Sequence, residues 1–410
     1  MMQMDEKGRM RMSKMNTANA IMTTSTGSGM RRVAGKRHAR HVGWAGLAIA
    51  GLLLAGCSSL GSAAQQDRSF VLSSDVKSDI QAAELPMVEG EQTLLSEAIR
   101  FSNLLSVQGD GTLLFNRDHG LYRANMETLG KEEAEQLLDI PVIEVSQNGK
   151  KALYEQGETS YMLDIATGKQ TKLLEYSGGM RGIADTEGNY VSFQQAGAVL
   201  QLVNTDTGNV QTIPLEDHFT VSNFSNGPAK YVDGYLYLDI SGEDTPRGIY
   251  KIAADGQSAE PLLLLPNAKT DSLAQFDLLA DGRLLFDGVY DKEPGIFVYS
   301  PVTKTVSLLV AGNGTGAETR TPFYSLSPDQ SKLLFHIYEQ AGGADHIFQA
   351  ELKEDRIENS RPILRHPQLY AGIMLLTHWS DDSASFYVKL TPWSEENQSG
   401  NVESIVSYQF

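Results

Sequence analysis

Short apolar runs, each preceded by a tight turn, recur along most of the chain. Five of the turns contain Asp-Gly, Asn-Gly or Glu-Gly, and their glycines are 38, 39, 46 and 48 residues apart. Asp-Gly and Asn-Gly favour turns with positive φ, so each turn predicts a β-hairpin. Two further copies begin at Ser327 and Ser380. The five glycines are Gly111, Gly149, Gly188, Gly234 and Gly282.

Each copy also contains further strands downstream of its turn. An alternating strand such as Ile296–Tyr299 is followed by a second turn and an outer strand such as Val306–Val310. Four antiparallel strands in roughly 40–50 residues are the unit of a propeller blade. A β-sandwich would explain the turns but not the sevenfold order. The sequence therefore predicts an all-β fold, a seven-bladed β-propeller.

The seventh copy stops before its outer strand, because the chain ends at Phe410. The segment Gln92–Glu97 resembles outer strands such as Thr171–Leu174. We expect Thr93–Ser96 to pair with the strand near Ser404–Tyr408. That pairing would close the ring and remove an open sheet edge.

The N-terminal part has the pattern of an export signal. A basic stretch, Arg31–Arg40, precedes the apolar run Trp44–Gly56. Thirteen residues form about 20 Å of helix at about 1.5 Å per residue, shorter than the roughly 20 residues that span a bilayer. The run ends in Leu54-Ala-Gly-Cys57, which resembles the lipobox of bacterial lipoproteins. The resemblance implies cleavage between Gly56 and Cys57 and lipid on the cysteine; the alternative is an ordinary secretory signal with a chance cysteine.

These features predict four segments. Residues 1–29 are an upstream extension or a mis-assigned start, because a start at Met30 gives a compact signal peptide. Residues 30–56 are the lipoprotein signal peptide, 57–91 a flexible tether and 92–410 the propeller. The expected location is the cell membrane, or the outer membrane if the host is Gram-negative.

Charge excludes one class of partner. The whole chain carries −17, but residues 1–56 hold nine basic and two acidic residues, which leaves 25 basic and 49 acidic residues in a chain that starts at Cys57. A body with a charge of −24 repels nucleic acid. The expected partners are the membrane, through lipid on Cys57, and an envelope protein or glycan.

One repeat resembles a known family. Ser327-Pro-Asp329 followed by Lys332-Leu-Leu-Phe335 is similar to the WD-like repeat of TolB-type propellers, whose pattern is Ser-Pro-Asp-Gly and then an apolar strand. Gln330 stands where that pattern has glycine. The resemblance covers roughly residues 100–410 and implies the fold. TolB proteins are soluble and carry an additional N-terminal domain, so their partners are not implied here.

Motifs for catalysis, metals or cofactors are not found. The chain lacks the Gly-x-Ser-x-Gly of serine hydrolases and the His-Glu-x-x-His of zinc proteases. His336 and His346 flank one hairpin and either meet across it or are polar strand ends. Turn carboxylates such as Asp110 and Asp329 are favoured there for backbone reasons. We expect no catalytic residue, metal or cofactor.

Trp393 lies in a polar insertion, residues 391–400, and is a candidate for a binding loop. Alternatively it folds back on the propeller face. The predicted function is a binding scaffold that is not an enzyme. The alternative is an enzyme acting on glycans or peptides in the central channel, which would require convergent carboxylates along the channel.

Overall fold

The structure is a computed structural model. It describes residues 90–94, 103–129, 133–175, 179–195, 199–220, 223–224, 227–242, 244–267, 269–312, 320–338, 345–366, 377–390 and 404–410. All of them belong to one of the two units into which the chain divides, Ser62–Phe410. Within these ranges the protein is all-β, with one 3-10 turn at Leu215–Asp217 and no α-helix.

The described strands form seven antiparallel sheets, which are the seven blades of a propeller ring. Blades one to three contain β2 (Asn103–Val107), β3 (Thr112–Arg117), β4 (Gly120–Asn125) and β5 (Glu135–Leu138); β6 (Val142–Val145), β7 (Lys151–Gln156), β8 (Thr159–Asp164) and β9 (Gln170–Glu175); and β10 (Met180–Ile183), β11 (Tyr190–Gln195), β12 (Val199–Asn204) and β13 (Val210–Pro214). Blade four contains β14 (Asn223–Phe224), β15 (Lys230–Val232), β16 (Tyr235–Ser241), β17 (Gly248–Ala253) and β18 (Ala259–Leu264).

Blades five to seven follow the same order. They contain β19 (Ser272–Leu278), β20 (Leu284–Tyr290), β21 (Glu293–Ser300) and β22 (Thr305–Ala311); β23 (Phe323–Leu326), β24 (Lys332–Tyr338), β25 (Asp345–Lys353) and β26 (Arg356–His366); and β27 (Thr377–Trp379), β28 (Ser385–Leu390) and β29 (Ser404–Gln409), completed by β1 (Glu91–Leu94). The predicted fold class, a seven-bladed propeller with four antiparallel strands per blade, is confirmed.

The repeated turns join the first and second strands of the blades. All five predicted glycines have positive φ, between 67° and 84°. Gln330, at the position of the missing glycine, also has positive φ, 61°. In that turn Ser327 Oγ donates to Asp329 Oδ1 at 2.6 Å and accepts from Lys332 N at 3.0 Å. These hydrogen bonds hold the turn without a glycine.

The core lies between the faces of adjacent blades. The residues of the predicted apolar run Leu284–Phe286 are all fully buried, as expected for a second strand covered on both sides. One cluster joins blade five to blade six through Leu285, Val298 and Phe348. Within blades, aromatic rings of the second and third strands stack, for example Phe286 on Phe297 with centroids 5.2 Å apart. Burial between blades therefore holds the ring together.

The ring is closed by its N-terminal strand. β1 pairs with β29 in antiparallel register, with Glu91 opposite Ser407 and Leu94 opposite Ser404. The predicted closure is confirmed for Thr93 and Leu94; residues 95 and 96 lie outside the described part. A single bridge, Val107 to Ser380, also joins blade one to blade seven.

The first strand of each blade faces the central channel. β2 contacts both β6 and β27, and β6 contacts β10. Blade four differs, because β14 and β15 pair with opposite ends of β16 and leave an interval between them. In blade five, β19 carries a bulge between Leu273 and Gln275. Pro228 of the interval and Ala274 of the bulge line one cavity.

Candidate functional site

A cavity with polar side chains lies at one end of the central channel and is here called the channel mouth. It is a cavity of about 710 Å³, to which blades two to six each contribute the end of the first strand and the turn after it. The segments are 144–147, 183–186, 230–233, 275–278 and 324–327. Because the channel-facing side of an inner strand is not covered by another blade, polar residues are tolerated there.

An ion pair lies at the base of the mouth. Lys230 Nζ in β15 contacts Asp277 Oδ1 in β19. The hydroxyl of Tyr324 donates to Asp277 Oδ2 at 2.9 Å and lies 3.2 Å from the carbonyl oxygen of Leu285. Burial, together with the charge of Asp277, raises the pKa of Tyr324 well above its ordinary value. The phenol therefore stays neutral and fixes the carboxylate of Asp277.

Glu144 is the second carboxylate of this region. Its Oε2 accepts a hydrogen bond from the backbone N–H of Ile183 at 2.8 Å, which joins blade two to blade three. Burial raises the pKa of Glu144, and the Ile183 N–H and the charge of Lys230 oppose that shift. Glu144 is therefore a desolvated acid with one hydrogen-bond donor and one nearby cation.

The wall of the mouth in blades three and four combines an acid with two aromatic rings. Asp185 Oδ1 accepts from Tyr190 N at 2.8 Å. The rings of Tyr190 and Tyr231 have centroids 4.4 Å apart. Burial raises the pKa of Asp185. Tyrosines offer a large apolar surface with a polar tip, which suits contact with a peptide or a sugar.

A second cavity continues inward from the mouth and is here called the inner chamber. Its volume is about 390 Å³, and it shares five lining residues with the mouth. These are Glu144, Ile183, Lys230, Gln275 and Asp277. The chamber extends to Asp239 of blade four and to Leu273–Phe276 of blade five, where the split inner strand faces the bulge.

The charges that line the two cavities favour ligands with hydrogen-bond donors or a positive charge. Glu144, Asp185, Asp233 and Asp277 are acidic, and Lys230 is the basic lining residue. Carboxylates thus line the channel, which is the condition set above for a channel enzyme. Among the described residues no group of three His, Cys, Asp or Glu side chains is arranged to hold a metal ion.

Several sequence-predicted residues lie outside the described part of the chain: Gly56, Cys57 and Trp393. In the part that is described, no helix has the length and apolarity needed to cross a bilayer. His336 lies opposite Ile347 and His346 opposite Ile337, so the two histidines point to opposite faces of their sheet.

The turn carboxylates bind backbone as predicted. Asp110 Oδ1 accepts from Thr112 N at 2.8 Å, Asp281 Oδ1 from Arg283 N at 3.0 Å and Asp329 Oδ1 from Ser331 N at 3.0 Å. Sequence reasoning missed the residues at the base of the mouth, Glu144, Lys230, Asp277 and Tyr324. The available signal was a polar residue in the first strand of a repeat, just before the turn.

Comparisons with known proteins show similarity of fold alone. No protein-family model matches the sequence, and no curated protein matches it. A solved oligogalacturonate lyase in complex with manganese is 11% identical with a TM-score of 0.49, covering 78% of this chain and 98% of its own. TolB from Acinetobacter baumannii is 15% identical with a TM-score of 0.39, covering 64% and 65%. The class defined here is the seven-bladed β-propeller; these likenesses assign no activity.

Proposed function

We propose that this protein is an exported cell-envelope lipoprotein, anchored through lipid on Cys57, whose propeller binds a protein or glycan at the channel mouth. The observation that carries the proposal is the mouth itself. Five blades contribute polar and aromatic side chains to an open cavity of about 710 Å³. Ligand pockets commonly have volumes of roughly 300–1,000 Å³. The lipobox supports the anchor.

Binding is favoured over chemistry because the polar groups at the base of the mouth are engaged with one another. Asp277 uses one oxygen for Lys230 and the other for Tyr324. Glu144 uses one oxygen for the Ile183 N–H. Groups held in this way form a fixed polar surface on rigid strands, which recognises a ligand with little reorganisation.

A second candidate function is an enzyme acting on glycans or peptides. The specific observation in its favour is Glu144, a channel-lining carboxyl group whose pKa is raised by burial, as in a general acid. Glu144→Gln would abolish turnover of a substrate while leaving its binding within a few-fold, whereas a scaffold would show no turnover in either form.

The test uses site-specific photocrosslinking in native membranes. A diazirine side chain at Val232, which lines the mouth, should form a discrete crosslinked product. The control is Val302, which is 89% exposed in the β21–β22 hairpin and does not line the mouth. Gln147→Trp fills the mouth from an exposed position and should remove the Val232 product. Equal products from both positions, or a product insensitive to Gln147→Trp, would refute the mouth as the binding site.

A further inference from the structure

A polar side chain on the second strand joins several blades to the next one. Asn116 of blade one donates to the carbonyl oxygen of Val142 at 2.8 Å and accepts from its N–H at 3.0 Å. Gln194 of blade three donates to the carbonyl oxygen of Gly227 in blade four at 3.0 Å. In blade two, Glu155 forms an ion pair with Arg181 of blade three. We call these contacts inter-blade pins.

The equivalent position of blade four is Asp239, five residues after Gly234, as Asn116 is five residues after Gly111. Asp239 forms no pin. Its side chain is 3% exposed, and its Oδ2 lies 3.4 Å from Arg247 of the same blade. No residue in the described ranges donates a hydrogen bond to its Oδ1. A buried carboxylate oxygen without a donor is costly, so this position needs an explanation.

At Asp239 the absence of a pin coincides with the inner chamber. Asp239 lines the chamber where β14 and β15 leave their interval, opposite the bulge of β19. Asn116 and Glu155 reach the inner strand of the next blade, and Gln194 reaches Gly227, between β14 and β15. Asp239 instead borders the inner chamber, which is about 390 Å³ in volume and is also lined by the segment Leu273–Phe276.

The acidic residues of the chamber outnumber the basic residue that lines it. Glu144, Asp239 and Asp277 line it together with Lys230. The ammonium of Lys230 is held by Asp277 and lies 5.6 Å from the centre of the Phe276 ring. Arg247 donates to Asp239 Oδ2 at 3.4 Å, which leaves Oδ1 without a donor among the described residues. Burial raises the pKa of both Glu144 and Asp239, because their charged forms are insufficiently compensated.

We propose that the inner chamber binds an alkyl guanidinium or ammonium group, the basic side chain of a ligand seated at the mouth, between Asp239 and Glu144. The proposal rests on the proposed function of the mouth. Asp239 Oδ1, to which no described residue donates, is the acceptor for the new hydrogen bond. The apolar stem of the ligand side chain would pack on Pro228 and Leu273, which line the same chamber.

The test compares two capped tripeptides, acetyl-Gly-Arg-Gly-amide and its citrulline analogue, which has nearly the same shape without the charge. Binding to the full-length protein in detergent is measured by saturation-transfer NMR. We expect the arginine peptide to bind at least tenfold more tightly, because hydrogen bonds between charged groups in desolvated sites are the strong ones. Asp239→Asn should remove that preference.

The matched control is Asp287→Asn, which changes the equivalent position of blade five but does not line the chamber. It should leave the preference unchanged. Glu144→Gln is a second variant and should weaken arginine binding in the same direction. Equal affinities for the two peptides, or equal effects of Asp239→Asn and Asp287→Asn, would overturn the proposal. If the Val232 crosslink persists in that case, the mouth still binds a ligand, and only the binding of a basic group in the inner chamber is refuted.

Discussion

Substitution of Asp287 tests how burial of a carboxyl group affects the stability of this ring. Its side chain is fully buried in β20. Oδ1 accepts the backbone N–H of Gln275 at 3.0 Å, whereas Oδ2 accepts no hydrogen bond from the described residues. Burial raises the pKa of Asp287 from 3.8 to about 7; the Gln275 N–H opposes the shift and the charge of Asp277 adds to it.

The size and sign of the effect follow from linkage. A rise from 3.8 to about 7, at about 1.4 kcal/mol per pKa unit, corresponds to about 4 kcal/mol. Between these pH values the folded state binds the proton more tightly than the unfolded state. The stability that protonated Asp287 contributes is therefore fully present below about pH 4 and is lost as the pH rises through about 7.

Asp287→Asn removes this titration. The amide oxygen still accepts the Gln275 N–H, but the buried amide NH₂ has no evident acceptor, which costs about 1–3 kcal/mol at every pH. We therefore expect the variant to be less stable than the wild type at pH 4 by about 1–3 kcal/mol, and more stable at pH 8 by a similar amount.

The assay is urea unfolding of both full-length proteins, followed by tryptophan fluorescence from pH 4 to pH 8.5. Groups that titrate alike in both proteins cancel in the difference of the free energies of unfolding. A difference that stays constant across this range would refute the burial argument for Asp287.

Three further outcomes are expected. Deleting residues 58–89 leaves β1 intact and should not change the urea midpoint, whereas deletion of 58–98 removes β1 and should cost several kcal/mol, at about 1 kcal/mol per hydrogen bond, and promote aggregation seen by light scattering. Cys57→Ser should leave an unprocessed or released protein, and unchanged fractionation and mass would contradict the anchor. Ser327→Ala should lower the free energy of unfolding by about 1–3 kcal/mol, because Lys332 N loses its buried acceptor; an unchanged midpoint would contradict this role of the turn.

The ring was predictable because its signals are local. Each blade begins with a turn whose residues favour positive φ, followed by an apolar run that is covered on both faces. The closing strand was predictable from its likeness to other outer strands and from the early end of the seventh copy. The turn at Gln330 shows that a glycine is not required, since side-chain hydrogen bonds within the turn hold it in its place.

The channel mouth was not predictable, because its residues meet only when the ring is assembled. Lys230 and Asp277 are 47 residues apart, about one repeat length, and neither stands in a motif. The split of the inner strand of blade four also has no sequence signal. The pKa of Asp287 is raised because this residue is buried within a strand. In the sequence Asp287 is followed by glycine, and an Asp-Gly pair is equally typical of an exposed turn, so the burial could not be predicted.

The second strands illustrate how one repeat position serves either the fold or a ligand. Where Asn116 and Gln194 reach the next blade, backbone groups are satisfied across the boundary. Where the residue is Asp239, the boundary opens and a carboxylate oxygen stays without a donor. A blade without a pin is tolerable because the ring is held elsewhere, by apolar faces between blades and by β1 on β29. A closed ring can therefore keep an unsatisfied acid beside its channel. An open sheet of the same strands has fewer contacts to offset the free-energy cost of that acid.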